Sequence, residues 1–283
     1  MIRSLYSGIG GMKNFQTKLD VIGNNIANVN TFGYKKGRAT FNDLVSQQMA
    51  GASTATGERG GTNPMQVGLG GGTSSIDTIS TQGSLQSTGR DLDIAISGDG
   101  YFVVADGDAN YYTRAGNFYL DEAGTLVNAD GLRVQGVGDS FTGDIDGGDL
   151  EDLTILAGSI DPDSGATLES FNISQSGEIN GVYSDGETRV LGQIAMANFS
   201  NPGGLSKVGN NTYELSNNSG PAELGSSGTG GRGGMVGSAL EMSNVDLSEE
   251  FAEMIVSQRG FQANTRMITT SDEILQELVN LKR

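Results

Sequence analysis

The chain has 283 residues, of which 36% are hydrophobic and 6% aromatic, with no tryptophan, so any core is lean for this length. It contains no histidine and no cysteine, which excludes histidine-dependent triads, thiol nucleophiles, disulfides and histidine or cysteine metal sites. The formal net charge is −17. Because most acidic residues lie in the middle of the chain, binding of nucleic acid or of an anionic membrane is not expected.

A heptad pattern opens the chain. It predicts an amphipathic helix from about Ser4 to Asn28, with Gly33 as a stop. The stripe consists of Leu5, Met12, Leu19 and Ile26, with Phe15, Ile22 and Val29 three residues after the last three of these. Such a stripe needs a partner helix, because a lone amphipathic helix cannot bury its apolar face.

A second and longer stripe ends the chain. Asp246 lies three residues before Glu249, a capping-box arrangement that predicts a helix from residue 247 to about 281. Spacings of four and three join Leu247, Phe251, Met254, Phe261, Ile268, Leu275 and Val279. A second line through Met267, Ile274, Leu278 and Leu281 widens this stripe toward the C-terminus. The natural partners are the first helix or neighbouring copies, so the pattern indicates an assembly protein and not an enzyme.

Between the helices the hydrophobic period changes to two. This predicts an α+β fold, in which terminal segments 1–33 and 244–283 pair as a coiled coil around a central, mainly antiparallel β domain at 76–243. Within that domain the block 136–167 is acidic and weakly patterned, and we interpret it as a small insertion. No run of ~18 apolar residues suggests a membrane span.

Residues 34–75 are predicted to form a connecting arm. A short helix is expected around residues 41–49, with Phe41 and Val45 on one face, followed by an extended or flexible glycine-, serine- and threonine-rich stretch at 51–75.

A weak internal repeat predicts two similar hairpins. FYLDEAGTLV, which begins at Phe118, matches FNISQSGEIN, which begins at Phe171. Gly124 and Gly177 occupy the same place in the two copies, where a turn requires a positive φ.

Three patterns suggest chemistry, and each has a simpler interpretation. GTGGRG at 228–233 fits a nucleotide loop, but no strand precedes it and no helix follows it. The aspartates at 144–149 and 161–163 resemble calcium loops but lack the terminal glutamate. Asp91 and Asp93 would share one exposed face of a strand, which is simpler than a glycosidase pair. No catalytic residue, cofactor or metal site is therefore predicted.

Polar residues in and beside the helices are candidates for fixing register or contacting a neighbouring subunit. Gln258 lies on the apolar line with Arg259 beside it, and Asn24, Asn25 and Asn28 end the first helix. Buried polar groups can fix register in coiled coils, and tolerated polarity in a long seam explains these residues equally well.

Four blocks of the sequence resemble those of the flagellar axial proteins, the family of rod and hook subunits. They cover about half of the chain, in the family's order, and include both ends: LDVIGNNIANVNTFGYKK (19–36), STGRDLDIAISGDGYFVV (87–104), YTRAGNFYLDEAGTLV (112–127) and residues 240–283. Within the family the chain is most similar to the short, Gram-positive type of hook subunit, and its small size keeps the distal rod as an alternative. A secreted β-rich adhesin or hydrolase is the alternative from a different class.

The resemblance implies a structural subunit that polymerises into a flexible tube, which transmits torque from rod to filament and through which export continues. The terminal helices would line its channel and the β domain would form its outer tube. The implied partners are further copies of the chain, the distal rod, hook cap and hook–filament junction proteins, and the flagellar type III export apparatus. Export by this route would place the protein in the basal body and hook, outside the cell, without a cleaved signal peptide. Phe41 and Val45 match the family's Phe-x-x-x-apolar motif read at the export gate.

Overall fold

The computed structural model describes residues 2–55, 57, 59–107, 109–138, 150–156 and 166–281. Within these residues, two long helices lie near the ends of the chain and antiparallel strands lie between them, so the predicted α+β fold is confirmed. The helices are α1 (Ile2–Ala27) and α2 (Leu247–Asn280).

The strands follow one another closely along the chain. In order they are β1 (Gly37–Asp43), β2 (Gln47–Ala50), β3 (Met65–Val67), β4 (Gly71–Thr78), β5 (Leu85–Ser87), β6 (Ile94–Ser97), β7 (Tyr101–Asp106), β8 (Ala109–Thr113), β9 (Tyr119–Leu120), β10 (Leu126–Val127), β11 (Arg133–Gly138), β12 (Glu151–Asp152), β13 (Leu168–Ile173), β14 (Glu178–Tyr183), β15 (Thr188–Ile194), β16 (Met196–Asn198), β17 (Ser206–Gly209), β18 (Thr212–Glu214), β19 (Glu223–Gly225), β20 (Gly234–Gly237) and β21 (Ala239–Glu241).

The chain divides into two compact units. The first, here called the helical unit, contains Met1–Ala27, Gly37–Ile79 and Asp246–Arg283. The second, the β unit, contains Asn28–Lys36 and Ser80–Val245. Each unit therefore combines segments that are far apart in the sequence.

The start of α2 is fixed by the predicted cap. Asp246 Oδ1 accepts hydrogen bonds from the backbone N–H of Ser248 (2.8 Å) and Glu249 (3.4 Å). These bonds satisfy two of the amides that a helix start leaves without a partner.

Among the described residues, the β unit is built on a sheet of thirteen strands, whose main path is β13-β14-β15-β11-β7-β8-β18-β17. Alternate side chains of β7 point to opposite faces, as in any strand. Phe102 and Val104 lie in one buried apolar cluster, and Tyr101 and Val103 lie in the other. The core of the β unit therefore lies on both faces of its sheet.

Both predicted hairpins are present. Leu120 pairs with Leu126 across β9 and β10, and Ile173 pairs with Ile179 across β13 and β14. Gly124 and Gly177 have φ angles of +78° and +81°, so the turns use glycine where a side chain would be strained.

The short helix predicted at residues 41–49 is wrong. Phe41 lies in β1 and pairs with Thr73 of β4, whereas Val45 lies between β1 and β2. The stretch predicted to be a connector, 51–75, contains β3 and the start of β4. The partner strands supply backbone hydrogen bonds, whereas a short helix with no packed face is only marginally stable.

The prediction of an exposed strand face for Asp91 and Asp93 is wrong for Asp93, which is buried. Its carboxylate accepts from Arg90 Nη1 (3.0 Å) and Thr88 Oγ1 (2.7 Å), so it joins a local ion pair. The aspartates that resemble calcium loops, at 144–149 and 161–163, lie outside the described residues.

Buried tyrosines predict that the protein loses stability in alkaline solution. Burial raises the pKa of Tyr213, Tyr101 and Tyr112. An unfolded chain ionises these phenols near pH ~10, so above that pH the unfolded state binds fewer protons than the folded state, and the free energy of unfolding falls as pH rises. The lowered pKa of buried Lys35 and Lys207 acts in the opposite sense, and only below their ordinary pKa of 10.5.

We therefore expect the thermal midpoint of the full chain to drop between pH ~10 and ~11, with phenolate absorbance appearing together with loss of the strand signal in circular dichroism. Ionisation of all eight tyrosines with an unchanged strand signal would contradict this prediction.

Candidate assembly surface

The two terminal helices pack against each other in antiparallel directions. Lys18 Nζ lies 3.1 Å from Glu253 Oε2, and a Cβ added to Gly8 would lie 3.4 Å from Ile268 Cγ1. Residue numbers thus rise along α1 as they fall along α2. Among the described residues, Lys18 and Glu253 form a partly exposed ion pair between the two helices, and a pair of this kind contributes little stability.

The face of α2 toward α1 carries two heptad lines four residues apart. One line is apolar and half-buried: Met254, Phe261, Ile268 and Leu275. The other is polar and buried or half-buried: Glu250, Ser257, Asn264 and Ser271. Ser257 is fully buried, and its hydroxyl has no hydrogen-bond partner among the residues that the structure describes. The apolar line is the one predicted from the sequence; the polar line was not predicted, although its members are also spaced by seven residues.

On α1, the predicted stripe residues Leu5, Met12, Leu19, Ile22 and Ile26 are buried or half-buried. Close approach of the helices depends on small residues. A Cβ at Gly260 would lie 2.4 Å from Phe15 Cζ, and one at Gly11 would lie 3.0 Å from Asn264 Cγ. Neither glycine leaves room for a larger side chain without movement of its neighbour.

Asn25 joins three parts of the helical unit. Its side chain is 1% exposed, and its Oδ1 accepts from the backbone N–H of Gly37 at 2.9 Å. Its Nδ2 donates to the Gly37 carbonyl (2.9 Å) and to Glu250 Oε2 (3.2 Å). One amide therefore holds the end of α1 to the start of β1 and to the first turn of α2.

Asn25→Asp is expected to destabilise the helical unit at neutral pH. The new carboxylate cannot donate to Gly37 and would lie beside the buried Glu250, so two like charges would share one site. The free energy of unfolding should fall by about 3 kcal/mol at pH 7. This loss should shrink on acidification, because one of the two carboxylates then binds a proton. Thermal melts at pH 7 and pH 4 measure it. Asn24→Asp, at the exposed neighbouring position, is the control, and an equal loss in both variants would contradict the prediction.

Much of the apolar surface of α2 faces solvent in a single copy. Exposed large side chains of this helix are Leu247, Phe251, Ile255, Val256, Met267, Ile274, Leu278 and Val279, with Leu281 just beyond its end. Of the predicted seam, Leu247, Phe251 and Val279 thus lie away from the intrachain interface. The second predicted line, through Met267 and Ile274, is also exposed and does not widen the face toward α1. Exposed apolar patches of this kind mark interaction surfaces.

The other predicted register residues are not in the helix interface. Gln258 and Arg259 are exposed, and Arg259 Nη1 donates to Gln262 Oε1 at 3.3 Å. Asn28 belongs to the β unit, where its Oδ1 accepts from Thr31 Oγ1 at 3.2 Å.

The arm forms an antiparallel ribbon beside α1. The pair β1–β4 follows the helix: Thr73 Oγ1 donates to Asn14 Oδ1 at 3.4 Å, and a Cβ at Gly70 would lie 3.2 Å from Ser7 Cα. The ribbon continues as β2–β3 and leaves several apolar side chains exposed, among them Phe41, Leu44, Met49 and Met65. Val45 is 83% exposed.

Neither α1 nor α2 is long and apolar enough to span a membrane. Among the described residues, no three acidic side chains lie together in a way that could hold a metal ion.

Three family descriptions match the chain in sequence. Residues 5–35 match the flagella basal body rod protein, residues 95–181 match the flagellar hook protein FlgE/F/G D1 domain, and residues 236–281 match the flagellar basal body rod FlgEFG protein C-terminal region. The flagellar basal-body rod protein FlgG of Bacillus subtilis is 55% identical over 284 residues, which cover all of both chains. The chain belongs to the flagellar FlgE/F/G family.

Relatives in this family include hook and rod proteins. The flagellar hook protein FlgE of Borreliella burgdorferi is 34% identical over 441 aligned residues, and FlgG of the same bacterium is 36% identical over 287. Both alignments cover all of this chain and of the relative. FlgE/F/G proteins are structural components of the flagellum, not enzymes, and they self-polymerise and associate with other flagellar components. The chain is therefore a structural protein of the flagellar rod or hook.

Proposed function

We propose that the chain is the hook subunit, which polymerises into a flexible tube that carries torque from rod to filament and through which export continues. One observation supports assembly above all: the large exposed apolar surface of α2, which no described segment of its own copy covers. Such a surface becomes stable when neighbouring copies bury it, at roughly 25 cal/mol per Å² of apolar area. The terminal helices would then form the inner wall, and the β unit the outer tube.

Within one bacterium, Borreliella burgdorferi, the hook protein shares more identical residues with this chain than the rod protein does. At 34% of 441 positions, about 150 residues are identical to the Borreliella hook protein; at 36% of 287, about 103 are identical to its rod protein. The hook alignment also extends well beyond 283 positions, so that relative has segments that this chain lacks. This chain and the Borreliella hook protein would then differ mainly by an insertion in the hook protein, and not in the segments that mediate assembly.

The distal rod is the second candidate. The 55% identical relative, which has nearly the same length, is described as a basal-body rod protein. A rod subunit would use the same exposed face of α2 but form a rigid shaft. If the chain is the hook subunit, its proposed partners are further copies of the chain, the distal rod, the hook cap and the hook–filament junction proteins.

Deletion of the gene in its own bacterium distinguishes the two functions. We expect electron micrographs of basal bodies to show a rod of full length and no hook. A shortened rod would support the distal-rod function instead. Normal hooks and normal motility would contradict both.

Phe41 and Val45 are proposed as an export signal that is read before the chain folds. Both are partly or largely exposed, so replacing them removes little from the folded ribbon. We expect the double variant Phe41→Ala, Val45→Ala to lower the secreted amount at least several-fold without changing the thermal midpoint of the purified protein. Met49→Ala, at an exposed position of the same arm, is the control. Unaltered secretion of the double variant would exclude the signal.

A further inference from the structure

A polar cleft of about 400 Å³ opens on the β unit. Four chain segments line it: residues 28–31, residues 113–117, the turn between β10 and β11, and the turn between β17 and β18. Half of its ten lining residues are asparagines: Asn28, Asn117, Asn128, Asn210 and Asn211. Among the described lining residues only Asp130 is charged, so the cleft offers no cation to an anionic ligand. We call it the amide cleft.

Three of these asparagines use only one end of the carboxamide to hold the fold. Asn128 Oδ1 accepts from the backbone N–H groups two and four residues later, both at 2.9 Å. Asn211 Nδ2 donates to the Phe32 carbonyl at 3.0 Å, and Asn210 Nδ2 donates to Asp130 Oδ1 at 3.1 Å. These bonds fix which way each carboxamide is turned. They leave a donor on Asn128 and acceptors on Asn210 and Asn211 without a partner among the described residues.

Asn117 and the turn of the β17–β18 hairpin add to this polar lining. Asn117 is half-buried, and its side chain makes no hydrogen bond to a described residue, so only water or a ligand can satisfy it. Asn210 and Asn211 have φ angles of +49° and +58°, in the left-handed region that most side chains avoid. Because asparagine tolerates this region, the turn can place two carboxamides side by side at the cleft.

The opposite end of the same hairpin carries an uncharged loop at residues 216–220. Ser219 is fully buried, and its Oγ donates to the Ser216 carbonyl at 2.8 Å and accepts from the Ser216 N–H at 3.1 Å. The Asn218 carbonyl accepts from Asn201 Nδ2 at 3.0 Å. Asn217 and Asn218 are exposed. The loop, here called the amide loop, is therefore held in place by hydrogen bonds and presents two carboxamides to solvent.

Net charge limits where two copies of the chain can meet. The formal charge is −17, so copies repel one another wherever acidic surfaces face each other. The amide loop contains no charged residue, and the amide cleft contains only Asp130, which already accepts from Asn210. Because carboxamides both donate and accept, two such surfaces can pair without bringing charges together.

The lining of the cleft also favours a polypeptide over a glycan. Among the described lining residues there is no aromatic side chain that could cover the apolar face of a sugar ring. The groups that remain are donors and acceptors at the ends of short side chains, which suit the carboxamides and the main chain of a loop.

We propose that the amide cleft of one copy receives the amide loop of a neighbouring copy. The cleft lies at the turn of the β17–β18 hairpin and the loop at its open end, about 10 Å away along the strands. The two surfaces therefore bind between copies, head to tail, and repeated head-to-tail contacts form rings or helical assemblies. This inference rests on the proposed function, in which copies of the chain form a tube, and it adds a contact that holds neighbours together.

Cysteine pairs test this contact, because the full chain has no cysteine of its own. Ala129→Cys places a thiol in the cleft and Asn217→Cys places one in the loop, and both positions are exposed in a single copy. The matched control combines Asn217→Cys with Thr188→Cys, at an exposed position of β15 that does not line the cleft. Each double variant is sedimented in reducing buffer to measure assembly, and is then oxidised.

We expect oxidation to join copies of the cleft–loop variant into dimers and larger multimers on a non-reducing gel. The yield should be roughly tenfold above that of the control, because only thiols held close together form a disulfide. Assembly with no more cross-linking than in the control would overturn this proposal and leave the proposed function standing. Cross-linked dimers in concentrated protein that never sediments as a polymer would do the reverse. Absence of both would contradict both.

A neutral glycan, maltotriose, tests the other class of ligand in the dilute chain. We expect it to leave alkylation of the cleft thiol unchanged. Protection of that thiol by maltotriose would assign the cleft to a sugar and overturn the proposal.

Charge substitution at the loop gives an independent readout in sedimentation. Asn217→Asp would bring a second carboxylate to Asp130 of the neighbouring copy, whereas Asn217→Lys would bring an opposite charge. We expect the concentration needed for assembly to be about tenfold higher for the first variant than for the second. Thr188→Asp and Thr188→Lys make the same change in net charge away from the cleft. A ratio at position 217 no larger than that at position 188 would overturn the proposal.

Discussion

Replacing Ile274 with Asp is expected to abolish polymerisation without lowering the stability of the single subunit. Ile274 is 49% exposed on the outer surface of α2, so the folded copy loses little when it is changed. In a polymer the same side chain would be buried by a neighbour, and its loss costs ~2 kcal/mol of burial, to which desolvation of a carboxylate is added. Because every added subunit meets this penalty, growth of the tube should stop.

Sedimentation of assembled protein and thermal melting of the monomer measure the two halves of this prediction. Ile274→Asn removes the apolar side chain without adding charge and should weaken assembly in the same direction. Thr269→Asp, on another exposed side of α2, is the matched control and should still assemble. Normal assembly of Ile274→Asp would mean that this surface is not buried in the tube.

Gly260→Ala and Gly23→Ala should change helix stability in opposite directions. Both glycines lie in helices, and alanine is favoured over glycine in a helix by ~1 kcal/mol. A Cβ at Gly23 meets no atom within 4 Å, so this variant should gain stability. A Cβ at Gly260 would lie 2.4 Å from Phe15 Cζ, so the helices must separate or the ring must move, at an overpacking cost of ~1–3 kcal/mol.

The midpoint of the helix signal at 222 nm measures both changes in the full chain. Adding Phe15→Leu to Gly260→Ala should recover part of the loss, because the shorter side chain relieves the contact. Absence of any recovery would show that the ring does not cause the loss. A gain of stability in Gly260→Ala alone would show that the two helices are not in close contact at this point.

The features that could be predicted from the sequence are those with a local signature. The heptad stripes located both helices, Asp246 marked the start of α2, and Gly124 and Gly177 marked two hairpins. Each of these signals lies within a few residues of the structure that it specifies.

The features that sequence analysis missed depend on partners far away in the chain. Residues 41–49 have a helical pattern, but β3 and β4 recruit them into a ribbon. The polar line through Ser257 and Asn264 contains no apolar residue, so hydrophobic periodicity does not reveal it. Nothing near Lys35 indicates that its counter-charge is Glu241, 206 residues away.

The chain passes between its two units four times, at residues 27–28, 36–37, 79–80 and 245–246. A single linker would let one unit swivel freely against the other, because rotation about a few single bonds is nearly unopposed. Four parallel backbone connections cannot rotate independently, since twisting one unit must wind them around one another. A torsional load applied to one unit is therefore shared among four covalent paths to the other. This connectivity therefore constrains twisting of one unit against the other more than a single linker would.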